Sequence, residues 1–257
     1  MNIWDTLILS PMINALLFIY TLLFQNFGLA IIVFTALIRL ITLPLTYQQM
    51  KSTMVMQEIQ KSDAYKKMQK KYKDDRQKQS EAQMKLFKEK GYNPFSGCLG
   101  LIIQFPIIIG LYQAIIRTLA QTPVQLFDLT KFMYAVIPAE IIPLNSQFLY
   151  MDLGQPERLY LQALVGTPLE FLNGVIPLLT ILVVITTWAN SKLTQPASTE
   201  GQGAMMGQMM SLYMPLLLGY FAYTLAAGLA LYFFVSNLLG ILQGYLMRRT
   251  REANAAE

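Results

Sequence analysis

Arg39 is the residue with the most chemical potential in this chain. It interrupts an otherwise uncharged apolar run from Phe27 to Tyr47. Near a bilayer centre such a side chain costs about 2.5–3.5 kcal/mol on insertion scales, and it ordinarily turns inward and pairs with an acid. No Asp or Glu falls inside any long apolar run of the sequence, and the nearest acids, Asp5 and Glu170, fall at the expected outer edge. The guanidinium therefore calls for water, backbone carbonyls, polar side chains or a ligand. Thr35, Arg39, Thr42 and Thr46 are spaced i, i+4, i+7, i+11 and share one helix face. At a rise of about 1.5 Å per residue, Arg39 stands roughly 12 Å above the Tyr47 end, and Gln104 roughly 10 Å into its own run from Gly97. Ser236, Asn237, Gly240, Gln243 and Gly244 add a small or polar face at similar depth on a third helix. Polar groups from three helices at one level predict a water-filled cavity, closed outside and open to the cytoplasm. Two plainer explanations compete. Arg39 would snorkel to the inner headgroups, although roughly 12 Å is a long reach. Ser236, Gly240 and Gly244 also form a small-xxx-small packing face.

Other chemistry is sparse. The chain has no histidine, which removes the commonest general base and the usual zinc ligand. Its one cysteine, Cys98, cannot form an internal disulfide and reads as a small apolar helix residue. Ser236 has no base to activate it. No enzyme activity, cofactor or metal is expected.

The elements that must carry Arg39 are membrane spans. Of 257 residues, 54% are hydrophobic and only 14% charged, against about 25% charged in soluble domains. Apolar runs long enough to cross a bilayer lie at Phe27–Tyr47, Cys98–Thr118 and Phe171–Trp188. A nearly continuous stretch from Met205 to Met247 turns at Ala226, Ala227 and Gly228. The runs lack strand alternation, so they are read as helices. Pro44, Pro106 and Pro215 are candidate kinks. Trp4–Phe24 is apolar but interrupted by Pro11 and Asn14, and is read as an interfacial helix. The start lacks a basic region and an Ala-x-Ala site, so no removable leader is expected.

The expected divisions are an N-terminal interfacial helix (1–26), a first span (27–50), a cytoplasmic helical hairpin (51–92) and a second span (93–120). An extracytoplasmic loop (121–170), a third span (171–190), a cytoplasmic loop (191–204), fourth and fifth spans (205–225 and 226–247) and a cytoplasmic tail (248–257) follow. Charge sets the orientation. Residues 51–90 carry 12 Lys or Arg against 6 Asp or Glu, whereas 121–170 carry 2 against 5, and Arg248, Arg249 and Arg251 mark the tail. The hairpin and C-terminus thus face the cytoplasm and the N-terminus faces out. Residues 51–91 read as two helices of roughly 18 residues broken at Lys73, Asp74 and Asp75 and ended by Gly91, Asn93 and Pro94. Their methionines and Phe87 either pack the hairpin or touch partners and headgroups.

Several stretches together resemble the YidC/Oxa/Alb family of membrane protein insertases. They are Gly28-Leu-Ala-Ile-Ile, Arg39-Leu-Ile-Thr-Leu-Pro44-Leu, Asn93-Pro-Phe-Ser-Gly-Cys98-Leu, and Gln104-Phe-Pro106 with Leu111-Tyr112. Phe148 to Leu153 and Gly228-Leu-Ala-Leu-Tyr232 with Ser236-Asn237 and Gln243 complete the set. The resemblance covers nearly the whole chain in the family's order. It implies an all-α membrane protein with five transmembrane helices around a hydrophilic groove open to the cytoplasm, an N-terminal interfacial helix and a mobile cytoplasmic hairpin. It makes Arg39 the groove's positive charge, with Thr35, Thr42, Gln104, Tyr232, Phe233, Ser236 and Asn237 as the substrate groove. Gly100 departs from a proline common in the family, and Phe233 from a Tyr or Trp. The large periplasmic domain of some members is absent, and the three tail arginines suit no strong ribosome tether.

The implied partners are nascent membrane proteins and the lipid bilayer of a bacterial plasma membrane, with a Sec-type translocon and the ribosome as further candidates. Sequence-specific nucleic acid binding is not expected. Alternatives are a membrane-protein assembly chaperone that does not insert, or a solute transporter, for which neither a charged path nor inverted repeats are evident.

Overall fold

The computed structural model describes residues 2–72, 75–90, 95–120, 122–135, 137–160, 175–194 and 202–255. The expected hairpin break at Lys73 and Asp74, the hairpin end at Gly91, Asn93 and Pro94, and the side chain of Cys98 lie outside them. So do the start of the third span at Phe171 and residues 195–201, half of the expected 191–204 loop.

The N-terminal segment Asp5–Leu22 is one helical run, π-wound over Asp5–Leu9 and α-helical over Ser10–Leu22 (α1). Its 18 residues have a mean hydropathy of 1.5, long and apolar enough to cross a membrane. Leu9, Ile13, Leu16, Leu17 and Tyr20 recur at helical spacing and are buried. Phe24 and Gln25 take positive φ in the turn that follows. Asn26 then caps α2 (Phe27–Ile41), its side chain accepting from the Leu29 N–H at 3.0 Å.

A straight span to Tyr47 does not form. Pro44 lacks an N–H and crowds the preceding turn. The chain therefore ends α2 at Ile41 and starts α3 (Leu43–Lys61) at a bend of 62°. Ser62 breaks the helix again and caps α4 (Asp63–Lys71), and Asp75 caps α5 (Arg76–Glu89). The hairpin thus has three helical pieces, counting the inner end of α3, where the sequence suggested two. Ile59, Tyr65 and Phe87 form its small core, with the Tyr65 and Phe87 rings stacked at 6.5 Å between centroids. Burial pushes the Tyr65 phenol above its ordinary pKa.

The second apolar run is α6 (Phe95–Thr118), which holds Pro106 internally. A capping box of Thr122 and Gln125 opens α7 (Pro123–Thr130). Two short antiparallel pairs follow that the apolar pattern gave no sign of. β1 (Gln147–Phe148) pairs with β2 (Met151–Asp152), and β3 (Leu159–Tyr160) pairs with β4 (Val175–Ile176). The remaining helices are α8 (Leu178–Thr194), α9 (Gln202–Thr224) and α10 (Ala227–Ala255). The break between α9 and α10 falls at Leu225 and Ala226, at the expected turn. Helix α10 continues into the expected tail as far as Ala255.

By length and composition, Asp5–Leu22 and Ala227–Met247 qualify as membrane spans among the described residues, and the bent α2–α3 pair qualifies as a third. Leu178–Leu193 is a shorter apolar helix. Lipid is as apolar as leucine, so packing and internal hydrogen bonds, not water exclusion, hold such helices together. The principal core joins α1, α2, α6, α8 and α10.

Residues 144–157 tie the ends of these helices. Gly28, in the first turn of α2, leaves room for the Phe148 ring, which a Cβ would overlap. The first N–H groups of α10 are satisfied from this loop, Ala227 donating to Gln155 O at 2.7 Å and Gly228 to Leu153 O at 3.0 Å. Glu157, only 2% exposed, accepts from the backbone N–H groups of Leu179 (2.7 Å) and Thr180 (3.0 Å), at the start of α8. A carboxylate at that point answers both the orphan amides and the helix dipole.

Candidate functional site

Arg39 sits in the last turn of α2, beside α10. Its Nε donates to Ser236 Oγ at 3.0 Å, and one terminal nitrogen donates to Ser236 Oγ at 2.7 Å and to Ser236 O at 2.6 Å. Among the described residues it forms no ion pair, the salt bridges there being Lys78–Asp75 and Lys131–Asp128. A neutral hydroxyl and a carbonyl therefore hold a half-buried cation. The carbonyl is one that the helix ladder already uses, so the charge is solvated without being neutralised.

A cavity of about 90 Å³ lies against this guanidinium. Thr42, Thr46 and Gln49 approach it from the bend and from α3, Gln104 from α6 and Tyr232 from α10. Gln104 donates through Nε2 to the Tyr232 hydroxyl at 2.7 Å, closing a polar bridge between α6 and α10. Thr42 and Thr46 return their hydroxyl protons to the carbonyls of Ile38 and Thr42, which leaves oxygen lone pairs for other donors. The cavity is polar and large enough to hold several waters. Counting from the helix ends at Ala227, Phe27 and Thr118 at about 1.5 Å per residue, Ser236, Arg39 and Gln104 stand roughly 13, 18 and 21 Å along their helices. In a hydrocarbon core about 30 Å thick, such depths lie around the middle.

The structure thus brings Arg39, Thr42, Gln104, Tyr232 and Ser236 of the eight candidates to one place. The other three candidates stand apart. Thr35 is fully buried and bonds back to Ile31 O at 2.6 Å. Phe233 packs in the core against the Tyr232 ring. Asn237 turns to α8, donating to Thr187 Oγ1 at 2.6 Å and to Thr186 Oγ1 at 3.4 Å. A Cβ at Gly240 would press on the Asn190 side chain at 3.0–3.3 Å, so α8 and α10 approach closely there. The fifth-span polar face is thus split, with Ser236 turned to Arg39 and Asn237 with Gly240 turned to α8.

Gln49 lines the cavity and was missed. It lies seven residues after Thr42, on the same helical face, but the face recognised in the sequence ended at Thr46. Glu157 was missed as well, because its partners lie 22 and 23 residues away in the chain and follow no period.

Residues 18–254 match the family described as the 60Kd inner membrane protein. The chain is 33% identical over 251 residues to "Membrane protein insertase YidC 2" of Bacillus anthracis, covering 96% of this chain and 82% of that one. It is 31% identical over 251 residues to "Membrane protein insertase MisCA" of Bacillus subtilis (strain 168), with 96% and 80% covered. The fold matches a solved structure described as "Active YidC insertase crystal structure with the first transmembrane domain resolved", at a TM-score of 0.60 and 26% identity. That match covers 95% of this chain and 47% of the solved one, so the chain spans about half its length.

Proposed function

The chain belongs to the 60Kd inner membrane protein family, and from that membership we propose that it is a bacterial plasma-membrane insertase. It moves short polar tails across the bilayer and releases the adjoining hydrophobic segments into lipid. One observation carries the mechanism. Arg39 is a half-buried cation with no carboxylate partner among the described residues, held by Ser236 beside a polar cavity.

Each step follows from that charge. A nascent segment with a short acidic tail reaches the cavity from the cytoplasm. Its carboxylates compete with the neutral Ser236 oxygens for the guanidinium, because a charge-assisted bond is the stronger. The wet cavity shortens the stretch of lipid that the polar tail must cross. The hydrophobic segment then leaves sideways along the apolar outer faces of α8 and α10, where Ile181, Ile185, Trp188 and Leu238 are exposed. No bond is made or broken, so no catalytic group or cofactor is invoked.

The cavity of about 90 Å³ would widen to admit a peptide tail. The bend at Pro44 and the α3–α5 arm beyond it are the parts that open it. Five spans, α2, α6, α8, α9 and α10, give an outside N-terminus and a cytoplasmic C-terminus. Helix α1 lies along the outer interface in this arrangement, and its contacts support that. Trp4 bonds to Gln113 and Gly110 faces Ile8 and Met12, five to eight residues before the end of α6, whereas Tyr20 meets Asn145 beside the start of α2. Nascent membrane proteins and lipid are the partners, with a Sec-type translocon and the ribosome as further ones.

The test is reconstitution of the purified chain in liposomes, synthesis of a two-span client with an acidic tail, and protease protection. Insertion well above protein-free vesicles is expected. Co-purification with clients without stimulated insertion would replace the insertase with a non-inserting assembly chaperone.

A further inference from the structure

A second cavity, of about 480 Å³, lies on the opposite side of the molecule from the Arg39 site, between the N-terminal helix, the last turn of α6 and α7. Its charged lining is balanced, with Asp5 and Asp128 against Arg117 and Lys131, beside Ile116 and Phe132. Lys131 and Asp128 bond to each other at 2.6 Å. Arg117 lies over the Phe132 ring at 4.5 Å from its centroid and has no ion-pair partner among the described residues. Asp5 has none either, its carboxylate accepting only from the Asn2 N–H among those residues, at 3.3 Å. One free cation and one free anion, from separate elements, therefore face one cavity.

We propose that this cavity binds the headgroup of a zwitterionic aminophospholipid from the outer leaflet. The inference rests on the membrane embedding and orientation proposed above. The phosphodiester pairs with Arg117 and the primary ammonium with Asp5, so each lining charge meets its opposite. An anionic lipid would satisfy Arg117 but leave Asp5 facing negative charge. A quaternary ammonium would bring positive charge without the N–H donors that a carboxylate accepts. Two further observations favour a lipid over a free solute. Trp4, beside Asp5, holds its indole N–H on Gln113, the position of an interfacial aromatic at headgroup level. Ile3, Leu7 and Phe127 are exposed on the two elements that border the cavity and offer the acyl chains an apolar surface.

The full chain in detergent is mixed with equal amounts of dilauroyl phosphatidylethanolamine, phosphatidylcholine and phosphatidylglycerol, and the retained lipids are counted by native mass spectrometry. Phosphatidylethanolamine is expected to be retained roughly tenfold over phosphatidylcholine, the effect of one charge-assisted bond. Asp5→Asn is expected to abolish that preference while leaving phosphatidylglycerol retention at least as strong. Arg117→Gln is expected to weaken retention of all three, with the thermal midpoint of each variant verifying its fold. Equal retention of the ethanolamine and choline lipids, or an unchanged preference in folded Asp5→Asn, would overturn the assignment. Soluble glycerophosphoethanolamine is expected to compete poorly, and competition as strong as that of the whole lipid would also overturn it. Retention is read without a client, so its failure leaves the insertase function standing, and failed insertion in liposomes leaves the lipid site standing.

Discussion

Ser236 contributes two different acceptors to Arg39, and they can be separated. The hydroxyl takes bonds from Nε and a terminal nitrogen, while the backbone carbonyl takes one more. Ser236→Ala removes the hydroxyl alone. A hydrogen bond to a charged group is worth about 1.5–3 kcal/mol, so the thermal midpoint in detergent is expected to fall. Insertion of an acid-tailed client is expected to persist, since the charge that attracts it remains. Loss of insertion in a folded Ser236→Ala protein would make Ser236 itself a client contact. The lone cation was legible in the sequence because one charge in a long apolar run is costly wherever it sits. Thr42, Gln104 and Ser236 were legible through helical spacing and depth. Asn237 was not separable from Ser236, because adjacent residues on a helix differ by about 100° in direction and only the neighbours decide which faces what. Here α8 supplies Thr186 and Thr187 to one and α2 supplies Arg39 to the other.

Helix ends, rather than helix middles, position the site. Pro44 stops α2 two residues after Arg39 and turns Thr46 and Gln49 back toward the guanidinium. At the other end, Glu157 fixes the start of α8, and with it the threonines that hold Asn237 on α10. Tyr150 donates to the same carboxylate, and partial desolvation together with that bond raises its phenol well above the ordinary range, so it stays a protonated donor. Glu157→Ala removes an acceptor of two backbone amides and a phenol in a buried setting. Its expected cost is about 2–3 kcal/mol, read as a lower thermal midpoint, with Glu157→Gln intermediate because one acceptor oxygen survives. An unchanged midpoint would show that the loop does not anchor α8. The apolar helices themselves were legible, since composition and length define a span. The β1–β2 turn and the Glu157 cap were not, because they rest on contacts between distant segments that leave no periodic trace.

The whole molecule keeps its charges apart. The basic arm α3–α5 follows the bend, the polar cavity lies beside Arg39, and residues 144–157 tie the helix ends on the other side of it. In the proposed mechanism a client tail enters the partly open cavity beside the unneutralised Arg39 and widens it. The central claim is that the positive charge of Arg39, not the polarity of the cavity alone, draws the tail in. It is tested by the initial rate of client insertion into liposomes holding Arg39→Ala or Arg39→Lys protein, with fold verified by thermal midpoint. For an acid-tailed client, a fall of roughly tenfold is expected with alanine, the loss of about 1.4 kcal/mol of attraction. Lysine keeps the charge without the planar fork and is expected to retain most of the rate. Equal rates for the alanine and wild-type proteins would contradict the electrostatic mechanism.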